Sequence, residues 1–146
     1  MINRFQAFVS GITICYKYIQ KIKTMEMTEF GLKGTHVMCV FYMKHSESEI
    51  TAAQLCQLCA EDKAAISRTL VTLQEKGYVE TGEKKYRAQL HLTEKGRLLA
   101  NQIDELIMQW VDRGGDGLSE EERNSFYYAL DLISSNLREK IKKDNK

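Results

Sequence analysis

The sequence predicts a mainly α-helical (α+β) fold, a winged helix-turn-helix with N- and C-terminal helices forming a dimerisation region. Three observations lead there. Proline is absent, so no imide ring interrupts long helices at either end. Two helix starts, at Thr51 and Asp62, fall close together in the middle of the chain. Directly after Gly77 the pattern changes from helical spacing to two β-favouring segments. The 146 residues are 43% hydrophobic and 28% charged, which suits one globular domain and excludes disordered and collagen-like classes.

The first element is an amphipathic helix from about Asn3 to Lys23, since Ile2, Phe5, Phe8, Val9, Ile12, Tyr16, Ile19 and Ile22 recur every three or four positions. Arg4, Lys17, Lys21 and Lys23 interrupt this stretch. It falls short of the roughly 20 apolar residues that span a bilayer and has no signal-peptide core. The expected compartment is the cytoplasm, without membrane contact. Beyond Gly31 and Gly34, Thr35 to Lys44 carries Val37, Met38, Cys39, Val40, Phe41 and Met43 almost all round, the composition of a buried central helix.

Thr51 with Gln54 fits a capping box, in which each side chain satisfies a backbone N–H that the first turn leaves free. Asp62 is placed to cap the next helix, Lys63 onward, and Gly77 to end it. Tyr78–Thr81 and Ala88–Leu92 then form a hairpin around a polar tip, Gly82–Arg87. Thr93 caps a helix whose apolar residues Leu98, Leu99, Ile103, Leu106, Ile107 and Trp110 keep helical spacing as far as Gly114. Ser119 with Glu122 repeats the capping box, and Phe126, Leu130, Ile133, Leu137 and Ile141 make an apolar stripe on the last helix.

Net charge is only +1, but between residues 63 and 97 eight Lys/Arg face four Glu. Extending the window to Glu61 and Asp62 halves that excess. The local bias suits phosphate binding. Lys63, Ser67 and Arg68 can donate to phosphates or base edges, while Ala64 and Ala65 permit close approach to a groove. Ile66, Leu70 and Leu73 face the other way, toward a core. A helix of this kind followed by a basic hairpin suits a major groove and an adjacent minor groove. The rival reading of the same fold is a protein-docking module without operator binding. Salt-dependent, sequence-selective DNA binding separates the two.

Ala53-Gln54-Leu55-Cys56, Asp62-Lys63-Ala64-Ala65-Ile66-Ser67-Arg68-Thr69-Leu70, Leu73-Gln74-Glu75-Lys76-Gly77-Tyr78-Val79-Glu80 and Leu92-Thr93-Glu94-Lys95-Gly96 together resemble the MarR family of bacterial regulators. The likeness is strongest from Thr51 to Gly96. It implies a homodimer with interlocked terminal helices that binds a pseudo-palindromic operator in double-stranded DNA. It further implies repression relieved by a small anionic or phenolic effector, or by an oxidant. By the resemblance Lys63, Ala65, Ser67 and Arg68 would enter the major groove, with Arg87 at the wing; independently of it, Lys84 and Lys85 are expected to add phosphate contacts. The sequence departs from the family in the wing: Lys85-Tyr86-Arg87 stands where many members carry Asp-x-Arg.

The expected organisation is a single domain, 1–146. Residues 34–96 are its DNA-binding core, and 1–30 with 97–146 a helical dimerisation region that uses Ile2, Phe5, Leu130, Ile133, Leu137 and Ile141. The apolar terminal stripes need a partner surface, which two-fold symmetry supplies.

No enzyme signature is found: the chain has no nucleophile elbow and no Walker loop. No cofactor is expected. Cys56-x-x-Cys59 lies within a helix and lacks a second close pair, so neither a dithiol redox motif nor a metal site is expected there, and both side chains suit core packing. Cys15, among Ile12, Tyr16 and Ile19, reads as a packing residue. A thiol-based sensor using Cys15 or the Cys56/Cys59 pair is the redox alternative. His36 and Cys39, one turn apart, are expected in the core, the alternative being that they line an effector pocket between the DNA-reading and dimerisation helices.

Overall fold

A computed structural model describes residues 1–82 and 88–144. Its helices are α1 (Ile2–Met27), α2 (Gly34–His45), α3 (Ala52–Cys59), α4 (Lys63–Glu75), α5 (Glu94–Gly114) and α6 (Glu120–Asp144); its strands are β1 (Ile50–Thr51), β2 (Val79–Thr81) and β3 (Gln89–Leu92). The chain divides into two compact units, Met1–Leu106 and Ile107–Lys146.

In the first unit α2 is the central element, touching α1, α3, α4 and β3. Its His36, Val37, Cys39 and Val40 are buried, as the all-round apolar pattern predicts. Its start is fixed locally, because the backbone N–H of Lys33 donates to His36 Nδ1 at 2.8 Å. Leu55 from α3, Ile66, Leu70 and Leu73 from α4, and Leu99, Ala100 and Ile103 from α5 complete the core. Leu98, included in the apolar spacing of α5, is instead exposed.

The first helix is longer than the apolar pattern suggests. It continues past Lys23 to the buried Met27 and a 3₁₀ turn at Thr28–Phe30. The hydroxyls of Thr24 and Thr28 donate to carbonyls one turn back, which satisfies both within the helical run. Residues 2–19 of α1 are all exposed in the single chain.

The hairpin strands are antiparallel, with Val79 opposite Leu92 and Thr81 opposite Leu90. Strand β1 has no counterpart in the sequence pattern. It pairs Ile50 with Leu90 and Thr51 with Gln89, making the sheet order β1-β3-β2. Two residues are too few to show alternation, and only the pairing defines them as a strand.

The second unit consists of the end of α5 and α6. Its turn is held by Arg123, whose Nη2 donates to the Gly115 carbonyl at 2.9 Å. The Ser119/Glu122 capping box forms in both directions, at 3.3 and 2.8 Å. No residue of α6 is buried within the chain. Among the described residues no helix is long and apolar enough to cross a membrane.

Candidate nucleic-acid interface

Helices α3 and α4 pack on each other and on α2, and both start where the sequence places a cap. At α3, Gln54 N–H donates to the Thr51 hydroxyl at 3.3 Å and Thr51 N–H to Gln54 Oε1 at 2.8 Å. At α4, Ala65 N–H donates to Asp62 Oδ1 at 2.7 Å. Such caps satisfy backbone donors that a short helix otherwise leaves free, typically contributing about 1 kcal/mol each. Between them the chain turns through Ala60, whose φ of +53° is left-handed. Glu61 N–H closes the turn on the Cys56 carbonyl at 3.1 Å.

That arrangement gives α4 two distinct faces. Ile66, Thr69, Leu70 and Leu73 are buried. Lys63, Ala64, Ser67 and Arg68 are exposed and Ala65 is half-buried. Neither Lys63 nor Arg68 forms a side-chain hydrogen bond or ion pair with any described residue. Two cations, a hydroxyl and two small methyl side chains therefore share the outward first turns of a helix whose other side is anchored. This surface can donate hydrogen bonds to an anionic, grooved partner.

The other end of α4 is clamped by the segment that leaves the hairpin. Thr93 Oγ1 donates to the Gly77 carbonyl at 2.6 Å, Thr93 N–H to the Tyr78 carbonyl at 3.1 Å, and Lys95 Nζ to the Lys76 carbonyl at 2.8 Å. The Lys95 ammonium also lies 4.6 Å from the centre of the Tyr78 ring. Gly77 itself has a φ of +73°, the left-handed conformation that ends helices readily only at glycine. Gly96 has a different reason: a Cβ there would overlap the Tyr78 carbonyl. The Leu92-Thr93-Glu94-Lys95-Gly96 run therefore positions α4.

This clamp changes the meaning of the basic window. Lys95 caps the C-terminal end of α4, where its charge is favourable against the helix dipole, and Arg97 donates to the Leu92 carbonyl at 2.9 Å. These two cations serve the scaffold, whereas Lys63 and Arg68 are left on the outward face. The sequence signal for the clamp is the Thr-x-Lys-Gly pattern, but charge counting alone groups its lysine with the expected DNA contacts. The expected wing contacts Lys84, Lys85 and Arg87 lie outside the described residues.

The expected dimerisation residues are at the chain surface. Ile2 and Phe5 on α1 are 81% and 70% exposed, and Leu137 and Ile141 on α6 are 54% and 62% exposed. Ile133 is also exposed, and Leu130 is half-buried. Cys15, expected to pack, is exposed in the single chain because its stretch of α1 is uncovered there. Cys56 and Cys59 are half-buried, and the fully buried thiol is Cys39. Burial and neighbouring Lys33 and Lys76 hold the His36 imidazole below its ordinary pKa, as expected for a core histidine.

Residues 30–85 match the model of the MarR family. Solved structures share the fold over nearly the whole chain. A MarR/EmrR family transcriptional regulator from an Acinetobacter species is 22% identical with a TM-score of 0.82, covering 95% of this chain and 99% of its own. A MarR transcriptional regulator from Methanosarcina mazei is 19% identical with a TM-score of 0.82, covering 92% and 91%. A MarR family transcriptional regulator from Listeria monocytogenes, solved in complex with a 26mer DNA, is 21% identical with a TM-score of 0.81, covering 90% and 89%. At these identities the likeness is one of fold.

Proposed function

We propose that the chain is a sequence-specific, DNA-binding transcriptional regulator and not an enzyme, because residues 30–85 match the MarR-family model and the chain shares the fold of MarR-family structures. The observation that carries this reading is the outward face of α4, where Lys63, Ala64, Ser67 and Arg68 are exposed while Ile66, Leu70 and Leu73 anchor the helix. In a major groove Arg68 reads base edges, Lys63 and Ser67 engage phosphates, and Ala64 and Ala65 allow close approach. Lys84, Lys85 and Arg87 contribute phosphate or minor-groove contacts from the wing.

The regulator works as a homodimer on a pseudo-palindromic operator. Support comes from the exposed apolar residues of α1 and of α6, including Ile2, Phe5, Leu137 and Ile141, which a second copy would cover. In this organisation residues 34–96 form the DNA-binding core, and 1–30 with 97–146 the dimerisation region of one domain. Repression, and its relief by a small anionic or phenolic effector, follow from the family resemblance.

Fluorescence anisotropy tests the proposal, using duplexes from the intergenic DNA beside the protein's own gene and a scrambled duplex as control. Selective binding that weakens steeply with salt supports it. Absence of binding to either duplex at low salt removes it, and turns the search toward a protein partner for the same helix.

A further inference from the structure

Cys39 and Cys59 are not paired by any sequence spacing, yet they meet where α2 packs on α3, with their Sγ atoms 3.9 Å apart. Their surroundings differ. Cys39 is fully buried in the middle of α2. Cys59 is the last residue of α3 and is half-buried, so a reagent in solvent reaches Cys59 first. The hydrogen bond with Cys39 holds the Cys59 thiol below its ordinary pKa, against opposition from burial and Glu61, and the Lys23 ammonium adds to the effect. The same bond, together with burial, pushes the Cys39 thiol up. Asymmetry of this kind separates an attacking thiolate from a resolving thiol.

We propose that Cys39 and Cys59 are a redox-active dithiol that closes to an intrachain disulfide on reaction with a hydroperoxide. The Cys59 thiolate attacks one peroxide oxygen; the O–O bond breaks, the alkoxide leaves as an alcohol after taking a proton, and Cys59 becomes a sulfenic acid. Cys39 then attacks the Cys59 sulfur, the S–O bond breaks, and the departing hydroxyl takes the Cys39 proton and leaves as water. Two thiols and one hydroperoxide thus give one disulfide, one alcohol and one water; with hydrogen peroxide the first leaving group is hydroxide, and the products are one disulfide and two waters. The two electrons given up by sulfur reduce the peroxide bond.

A disulfide has an S–S length of about 2.05 Å, so the sulfurs must draw together by roughly 2 Å. The movement falls on Cys59, which immediately precedes the Ala60–Asp62 turn that starts α4. A link also runs to that turn from α2, through a Thr35 hydroxyl 3.5 Å from Glu61 Oε1. On the DNA-binding reading above, oxidation displaces the first turn of the reader.

The test uses a C15S/C56S protein, which retains only the proposed pair, treated with hydrogen peroxide. The dithiol reading expects both remaining thiols to disappear and the mass to fall by two hydrogen atoms. Digestion should join the peptides holding Cys39 and Cys59, the chain should not be cross-linked to a second copy, and dithiothreitol should reverse the change. With C39A added, Cys59 should instead advance to sulfinic acid for lack of a resolving thiol. Surviving thiols, or a disulfide only between chains, would overturn the proposal. These readouts involve no DNA and stand apart from the operator experiment. For the coupling, operator affinity of the oxidised protein should fall about tenfold or more. An unchanged affinity with the disulfide formed would refute the coupling.

Discussion

Ala60 holds a left-handed backbone conformation, φ +53°, at the turn between α3 and α4, a position where a Cβ costs about 1 kcal/mol relative to glycine. Ala60→Gly should therefore raise the unfolding free energy by about 1 kcal/mol in urea titrations, and unchanged or lowered stability would count against strain at this turn. Gly96 presents the opposite case, because a side chain there meets the Tyr78 carbonyl. Gly96→Ala should lower stability by about 3 kcal/mol, since the backbone must shift to admit the methyl. Neither requirement is written in residue type alone. Ala60 carries no turn signal, and Gly96 looks like any helical glycine until the Tyr78 backbone is placed beside it. The outward placement of Lys63, Ser67 and Arg68 was legible, because a capped helix with known apolar positions fixes which of its residues face outward.

At the scale of elements, caps and apolar spacing located α2 through α6 well. Asp62, Thr51, Thr93 and Ser119 all cap as their sequence contexts imply. What spacing does not reveal is how distant segments meet: β1 against β3, Cys39 against Cys59, and the tie between α2 and α5. In that tie Lys44 Nζ approaches Asp104 Oδ2 at 2.5 Å, and His45 Nε2 lies 2.9 Å from Oδ1. Burial opposes ionisation of Asp104, but hydrogen bonds from Lys44 and His45 hold its carboxyl below the ordinary value. A depressed pKa stabilises the fold above the ordinary carboxylate value of about 4, and that contribution vanishes as pH falls through the folded pKa. Asp104→Asn should cost less than about 1 kcal/mol at neutral pH, because solvent screens the pair. The difference from wild type should close in acid, as urea titrations across pH will read. A gap that widened in acid would contradict this assignment.

For the whole molecule, the apolar stripes of the terminal helices were readable, and the chain leaves them exposed. Leu137 and Ile141 on α6 and Ile2 and Phe5 on α1 are exposed. A charge on such a surface has little effect on a lone chain but is costly when a second copy buries it. Leu137→Glu should shift sedimentation from dimer toward monomer and weaken operator binding by removing the second half-site's contribution. An unchanged dimer would move the interface away from this part of α6. Sequence periodicity shows that a face needs covering, while the identity of the cover depends on geometry between copies.

The central claim is that the outward face of α4 reads DNA, and the most direct measurement is the salt dependence of operator affinity for wild type and for a Lys63→Ala/Arg68→Ala variant with unaltered circular dichroism. Removing one phosphate-binding cation should flatten the log-affinity against log-salt slope by about one unit, and removing a base-reading arginine should reduce discrimination against scrambled DNA by about 1–3 kcal/mol. The variant should bind more weakly and less selectively, with a shallower slope. Wild-type affinity, selectivity and slope in the variant would contradict it.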